Sequence, residues 1–205
     1  MGSLIVTEFM TLDGVAQAPG GPDEDREGGF PHGGWQAHLI DDAAGAKMFE
    51  DASRMDALLL GRKTYDIFAS YWPNAPTEIP FTPLLNRVPK YVATRTLTDP
   101  LRWNNSTVLT GDLTERIDAL KARHAEIHVI GSLELVQSLL RKRLIDRLEL
   151  WQHPIVLGSG KRVFGDGTVP TAMRLTESVT YPNGTLELVY EPHGTPTYGD
   201  MTTQT

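Results

Sequence analysis

Three stretches of this chain place glycine, hydroxyl and basic side chains where an apolar run gives way to a helical pattern. Each is suited to holding a phosphate. The first is Leu58-Leu59-Leu60-Gly61-Arg62-Lys63-Thr64. A helix starting after Gly61 offers N–H groups with no intrahelical acceptor and the positive end of its dipole. Gly61 lets a ligand approach the backbone, Thr64 adds a hydroxyl, and Arg62 and Lys63 add charge. Ordinary helix capping with two solvated basic residues explains this motif, taken alone, as well. In the second, Ile127-His128-Val129-Ile130-Gly131-Ser132-Leu133, the pattern returns without the charge. Gly131 and Ser132 are placed there to cradle a pyrophosphate through backbone N–H groups. The third, Ala93-Thr94-Arg95-Thr96, supplies a hydroxyl and a guanidinium. An arginine there suits a ribose 2′-phosphate, the group that distinguishes NADPH from NADH.

The acids are less decisive. Asp13 ends the first strand in the turn Thr11-Leu12-Asp13-Gly14 and is the first choice for a polar group near a reacting centre. An aspartate that only shapes an Asp-Gly turn explains it equally well. Asp41 and Glu50 are weaker acid candidates. Trp35 and Phe49 are surfaces on which a planar substrate can stack, or plain core. The six histidines (32, 38, 124, 128, 153, 193) show no metal-like spacing, and His128 reads as a strand residue rather than a ligand. Leu157-Gly158-Ser159-Gly160-Lys161-Arg162 imitates a phosphate loop, but Ile155 stands where its first glycine belongs and Arg162 where Ser or Thr is needed. It reads as a glycine turn leaving a strand. No G-x-S-x-G elbow is present, which argues against a serine hydrolase.

The elements that must position these residues alternate. Strand patterns cover Leu4–Met10, Asp56–Leu60, Lys90–Thr94, Ser106–Leu109, Glu126–Ile130 and Asp146–Leu157, with helical periodicity over Asp41–Arg54, Arg62–Tyr71, Asp112–His124 and Ser132–Lys142. Such alternation implies parallel pairing with crossover helices. Arg174–Tyr181 and Thr185–Tyr190 flank Pro182-Asn183-Gly184, a strong hairpin signal, and add antiparallel strands at one edge. The stretch Ala18–Gly34, rich in Gly, Pro and acids, has a composition that forbids regular structure and reads as a lid or a disordered insertion. Pro73–Pro83, with four prolines, reads as a second loop. The expectation is one α/β domain over 1–192 and a polar, frayed tail over 193–205.

With 205 residues, 40% hydrophobic and 22% charged, the chain has the balance of a globular protein able to bury a core. Its net charge of −7 argues against nucleic acid as a partner but leaves room for a local basic pocket. No apolar run nears the roughly 20 residues of a membrane span, and the start carries no secretory pattern. The absence of cysteine excludes disulfides, thiolate metal sites and Cys nucleophiles, and fits a reducing, cytoplasmic setting.

Taken in order, Thr11-Leu12-Asp13-Gly14, Leu60-Gly61-Arg62-Lys63-Thr64-Tyr65, Ala93-Thr94-Arg95, Val129-Ile130-Gly131-Ser132 and Leu144-Ile145-Asp146-Arg147-Leu148 through Pro154–Gly160 resemble the dihydrofolate reductase superfamily. The closest resemblance is to the C-terminal reductase domain of the bifunctional riboflavin-biosynthesis deaminase-reductase and its stand-alone bacterial relatives, over about Leu4–Tyr190. The resemblance implies a three-layer α/β fold with a mixed, mostly parallel sheet of about eight strands, NADPH as hydride donor, and a homodimer. Carried over by position, Gly61, Arg62, Lys63 and Thr64 would hold cofactor phosphates. Thr94 and Arg95 would meet the 2′-phosphate, and Gly131, Ser132 and Leu133 would face the pyrophosphate and nicotinamide ribose. The loop after Asp13-Gly14 would correspond to one that closes over nicotinamide. The implied reaction is hydride transfer to a C=N or C=O of a small heterocycle, of the 5-amino-6-(5-phosphoribosylamino)uracil reductase type. The acid that binds pterin in dihydrofolate reductases is absent or shifted, since Ala44 or Gly45 stands in its place. The deaminase half is missing as well. A dihydrofolate or pterin reductase, a nucleotide-binding module without turnover, and a flavin-dependent protein are the alternatives.

Overall fold

The computed structural model describes residues 1–201. Eight strands form one sheet in the order β4-β3-β2-β5-β1-β6-β8-β7. They are β1 (Ser3–Thr11), β2 (Ala57–Gly61), β3 (Lys90–Ala93), β4 (Ser106–Leu109), β5 (Glu126–Ile130), β6 (Arg147–His153), β7 (Met173–Thr180) and β8 (Leu186–Pro192). The helices are α1 (Asp42–Ser53), α2 (Arg62–Tyr71), α3 (Phe81–Arg87), α4 (Leu113–Lys121) and α5 (Leu133–Arg141). The six strands from β4 to β6 are parallel, and β8 and β7 close that edge antiparallel. The mixed sheet, its crossover helices and the Asn-Gly hairpin all agree with the sequence reading.

Side-chain alternation divides the core. On β2, Ala57 and Leu59 join Leu4, Val6, Ile117, Leu135 and Val136 on the α4–α5 face. Leu58 and Leu60 join Met55, Tyr65, Leu85 and Trp103 on the other. Every residue from Ala57 to Leu60 is fully buried, as a central parallel strand covered on both sides must be.

Four boundaries differ from expectation, each for a local reason. The loop read over Pro73–Pro83 ends at Pro80, because Pro83 falls in the first turn of α3, where a missing N–H costs nothing. The strand read over Asp146–Leu157 stops at His153: Pro154 follows, and Asp13 captures the N–H groups of Leu157 and Gly158 at 3.2 and 2.8 Å. The Ala18–Gly34 loop contains a short 3-10 turn, Glu27–Gly29, made possible by Gly28 at φ 71°. The tail expected from residue 193 begins later, since His193 and Gly194 exchange backbone hydrogen bonds with Ala172 at 2.7 and 2.9 Å. Part of that tail, residues 202–205, lies outside the described residues.

Candidate active site

The sheet order sets the carboxyl ends of β3, β2, β5 and β1 side by side, so the three phosphate-suited stretches meet at one edge. β2 pairs with β5, which brings Gly61 against Ser132: the Gly61 N–H donates to Ser132 Oγ at 2.8 Å. A methyl group on Gly61 would lie 2.8 Å from that oxygen and 2.9 Å from Ser132 Cβ, so glycine is required by the neighbouring chain. This corrects part of the sequence reading, in which the Gly61 backbone was free to meet a ligand.

The correction has a consequence for α5. Ser132 occupies its N-cap position in the left-handed region (φ 69°, ψ 66°), yet its hydroxyl caps nothing because Gly61 has engaged it. A serine at that position ordinarily takes up one of the first helical N–H groups. No side chain caps α2 either. Two adjacent helix starts therefore leave their first-turn N–H groups unspent, and their dipoles converge. Gly131, at φ 70°, has Thr64 Oγ1 3.7 Å from the place its Cβ would take. Gly61, Thr64, Gly131, Ser132 and Leu133 thus lie together where β2 and β5 end.

The basic residues divide. Arg62 Nη1 donates to Thr96 Oγ1 at 2.9 Å, which ties α2 to the turn after β3. In that turn Thr94 Oγ1 accepts the N–H groups of Thr96 and Leu97 at 3.1 and 3.2 Å. Arg95 stands exposed beside it. Lys63 reaches toward the loop, where it is hydrogen-bonded to Glu27, and lies 3.5 Å from Glu134 on the first turn of α5.

The acid and aromatic candidates do not converge in the same way. Asp13 accepts hydrogen bonds from Thr11 Oγ1 at 2.6 Å and from the two backbone N–H groups of the β6 connector. These bonds, Thr11's first, hold its carboxyl down at about 2. It shapes the turn and stays ionised. Glu50 is exposed on α1. Asp41 caps α1 through Oδ1, which accepts the Ala44 N–H at 2.7 Å, while its Oδ2 is buried with no partner. Trp35 is buried in the cluster of Val15, Ala18 and Phe30, where its indole N–H donates to the Gln17 carbonyl at 2.9 Å. Phe49 packs edge-on against Phe81 with ring centroids 5.4 Å apart.

Two groups beside the site escaped the sequence reading. Gln17, 2% exposed, donates to the carbonyls of Asp25 and Glu27 at 3.1 and 3.0 Å and accepts the Lys161 N–H at 3.0 Å. It is the pin around which the loop folds. Lys161 belongs to the glycine turn dismissed as a false phosphate loop, and its ammonium faces Asp25 at 2.5 Å and Glu27 at 2.6 Å. The one available signal was a lysine directly after Gly158-Ser159-Gly160, far along the chain from any partner. Glu8, on β1, was legible as an acid on the apolar stripe of Leu4, Val6 and Met10. It is buried, its Oε1 has no partner, and burial pushes its carboxyl up to about 8.

The family model for the RibD C-terminal domain matches residues 3–186. The chain belongs to that family. Among curated proteins, the uncharacterized YyaP of Bacillus subtilis (strain 168) is 27% identical over 146 residues, which are 69% of this chain and 77% of that protein. A crystal structure from Shewanella sp. PV-4, described as that of a riboflavin biosynthesis protein, superposes with a TM-score of 0.70 at 22% identity. The superposition covers 93% of this chain and 99% of that one. A pyrimidine reductase-like protein of Corynebacterium diphtheriae NCTC gives 0.62 at 16% identity, covering 94% and 92%. At such identities the two structures speak for the fold alone, which they share with this member of the RibD C-terminal family.

Proposed function

We propose that this chain is a reductase that takes NADPH and reduces a C=N or C=O bond in a small nitrogen heterocycle of the ribosylamino-pyrimidine class. The observation that carries the reading is the pair of uncapped helix starts at Gly61–Thr64 and Gly131–Leu133, side by side because β2 and β5 are paired. Unspent N–H groups and converging dipoles favour a diphosphate over any neutral group. Membership of the RibD C-terminal family and the names of the structural neighbours support this choice of substrate class.

In this reading the first turns of α2 and α5 receive the diphosphate of the cofactor, with Thr64 beside it. Arg95 has no carboxylate neighbour among the described residues and takes the 2′-phosphate, its turn fixed by Thr94 and by the Arg62–Thr96 bond. When bound, the dihydronicotinamide supplies the hydride. The protein's part is to hold donor and acceptor in contact and keep water out, for which the Ala18–Gly34 loop is the available cover. Asp41 is the acid assigned to the substrate side, because its Oδ2 is the only carboxylate oxygen of Asp13, Asp41 and Glu50 that is buried without a partner. Asp13, ionised and spent on its turn, is assigned no proton transfer.

The test is binding. NADPH is expected to quench tryptophan fluorescence and raise Tm, with NADH much weaker. Arg95→Ala is expected to cost about tenfold in NADPH affinity, the worth of a charge-assisted hydrogen bond, and to leave NADH unchanged. Equal affinity for both dinucleotides in the unaltered protein overturns the assignment. One observation favours a nucleotide-binding module without turnover, namely that the Asp13 carboxylate is engaged by Thr11, Leu157 and Gly158. A panel of pterins and ribosylamino-pyrimidines with NADPH separates the two, since a pure binder oxidises none of it.

A further inference from the structure

Glu27 sits between two ammonium groups that come from distant parts of the chain. Its Oε2 accepts from Lys161 Nζ at 2.6 Å and also from Lys63 Nζ. Lys63 is on the first turn of α2 and lies 3.5 Å from Glu134, on the first turn of α5. A carboxylate of the chain is thus already seated beside the two helix starts, in a place built to attract an anion. Hydrogen bonds from Lys161 and then Lys63 hold Glu27 down at about 2, so it is an anion at every ordinary pH.

We propose that Lys63 and Lys161 form a phosphate site held closed by Glu27, and that a phosphate group of the bound ligand replaces the Glu27 carboxylate, making Lys161 a ligand-binding residue. The proposal rests on the reductase reading for the identity of the ligand, though not for the existence of the site. Exchange is easy because the present contacts are weak ones: Glu27 is 57% exposed and Lys63 54%, and ion pairs this wet contribute little. A phosphate carries more charge and more acceptor oxygens than a carboxylate, so it competes well for the same ammoniums. The exchange also leaves the loop backbone in place. Gln17 holds the carbonyls of Asp25 and Glu27 and the N–H of Lys161 whatever the Glu27 side chain does. A cavity of about 310 Å³ bounded by Gln17, Glu27, Phe30, Ser159, Gly160 and Lys161 adjoins the pair and gives the displaced side chain or the incoming ligand room. Asp25, 2.5 Å from Lys161, remains as that lysine's counter-charge.

The phosphate has two possible sources, the cofactor's diphosphate and a phosphate monoester on the substrate. Calorimetric titration of the full chain with NADPH, inorganic pyrophosphate and ribose 5-phosphate distinguishes them. Glu27→Gln removes the competing charge and is expected to tighten binding by about three- to tenfold, the scale of an exposed ion pair to a little above it. Lys161→Gln is expected to weaken the same ligand at least as much, and Lys161→Arg to restore it. Tightening of pyrophosphate and NADPH places the cofactor at the pair; tightening of ribose 5-phosphate alone places the substrate there. If no ligand binds Glu27→Gln more tightly while its Tm matches the unaltered protein, the proposal fails. NADPH binding that ignores both substitutions, with no gain for the other two ligands, sinks the site but spares the reductase reading. Pyrophosphate binding that tightens in a protein with no affinity for NADPH does the reverse.

Discussion

Two of the lysine–carboxylate clusters of this molecule differ in burial, and burial gives them opposite uses. At the cleft, Lys63, Lys161, Asp25 and Glu27 meet at the surface, where water can replace any partner. Beneath α1 a second set lies between helix and sheet. Lys47 holds both oxygens of Asp51 at 2.7 and 2.8 Å and lies 3.5 Å from Glu187. Arg54 adds a bond to Asp51 at 3.0 Å, and Thr7 donates to Glu149 at 2.9 Å. Asp51, Glu149 and Glu187 are at most 3% exposed. Burial pushes Asp51 up, but Lys47 and Arg54 outweigh it and hold the carboxyl low. Burial wins at Glu149 and Glu187, which are raised despite their neighbours; Tyr181 donates to Glu187 at 3.0 Å. Ions removed from water cannot trade partners cheaply, because each one left alone bears its full desolvation cost. The layer under α1 fixes where the helix sits, and the exposed set can exchange its partners with water.

Removing a cation from the buried layer tests this contrast most severely. Lys47→Met is expected to cost about 3 kcal/mol in urea denaturation, since Glu187 loses its cation and Asp51 keeps only Arg54. A cost under about 1 kcal/mol would put the two regions in one class. Glu8 is the next case, a buried acid on the opposite face with no cation beside it among the described residues. Its carboxyl is raised from 4.5 to about 8, so the folded chain keeps a proton that the unfolded chain has lost across that window. Stability is therefore drained as pH rises from about 4.5 to about 8. Glu8→Gln is expected to be more stable than the unaltered protein at pH 8 by more than about 1 kcal/mol, with the advantage shrinking toward pH 5. A constant difference across that range would remove Glu8 from the titration. The smallest effect is at the surface: Glu27→Gln is expected to leave the urea midpoint unchanged even where it changes ligand affinity, since an ion pair this exposed contributes little.

Much of the fold was legible because its signals are local. Arg62–Tyr71 and Glu126–Ile130 read to the residue, one ended by Trp72-Pro73 and the other by Gly131. The α3 helix was missed because four prolines outweighed everything else, though Pro83 sits where proline does no harm. At the site, an apolar run ending in glycine marked both phosphate-suited junctions. What Ser132 does could not be read, because the diversion of its hydroxyl to Gly61 depends on which strands are neighbours. Lys161 was lost for a related reason: its partners lie more than 130 residues away, and no window along the chain contains both. Asp13 was read with two meanings, and its bonds to the connector after β6 could not be seen along the chain.

The loop over the cleft is fastened by groups at the far end of the chain: Asp13 to Gly158, Val15 to Arg162 and Gln17 to Lys161. Each closes a circuit of more than 140 residues, among the costliest contacts in entropy that the chain makes. During synthesis the first strand and its loop emerge long before the residues that will pin them. The edge of β2 and β5 that carries Gly61 and Ser132 is therefore made before the residues that fasten the loop, and a newly made chain is expected to pass through a state in which that loop is still unpinned.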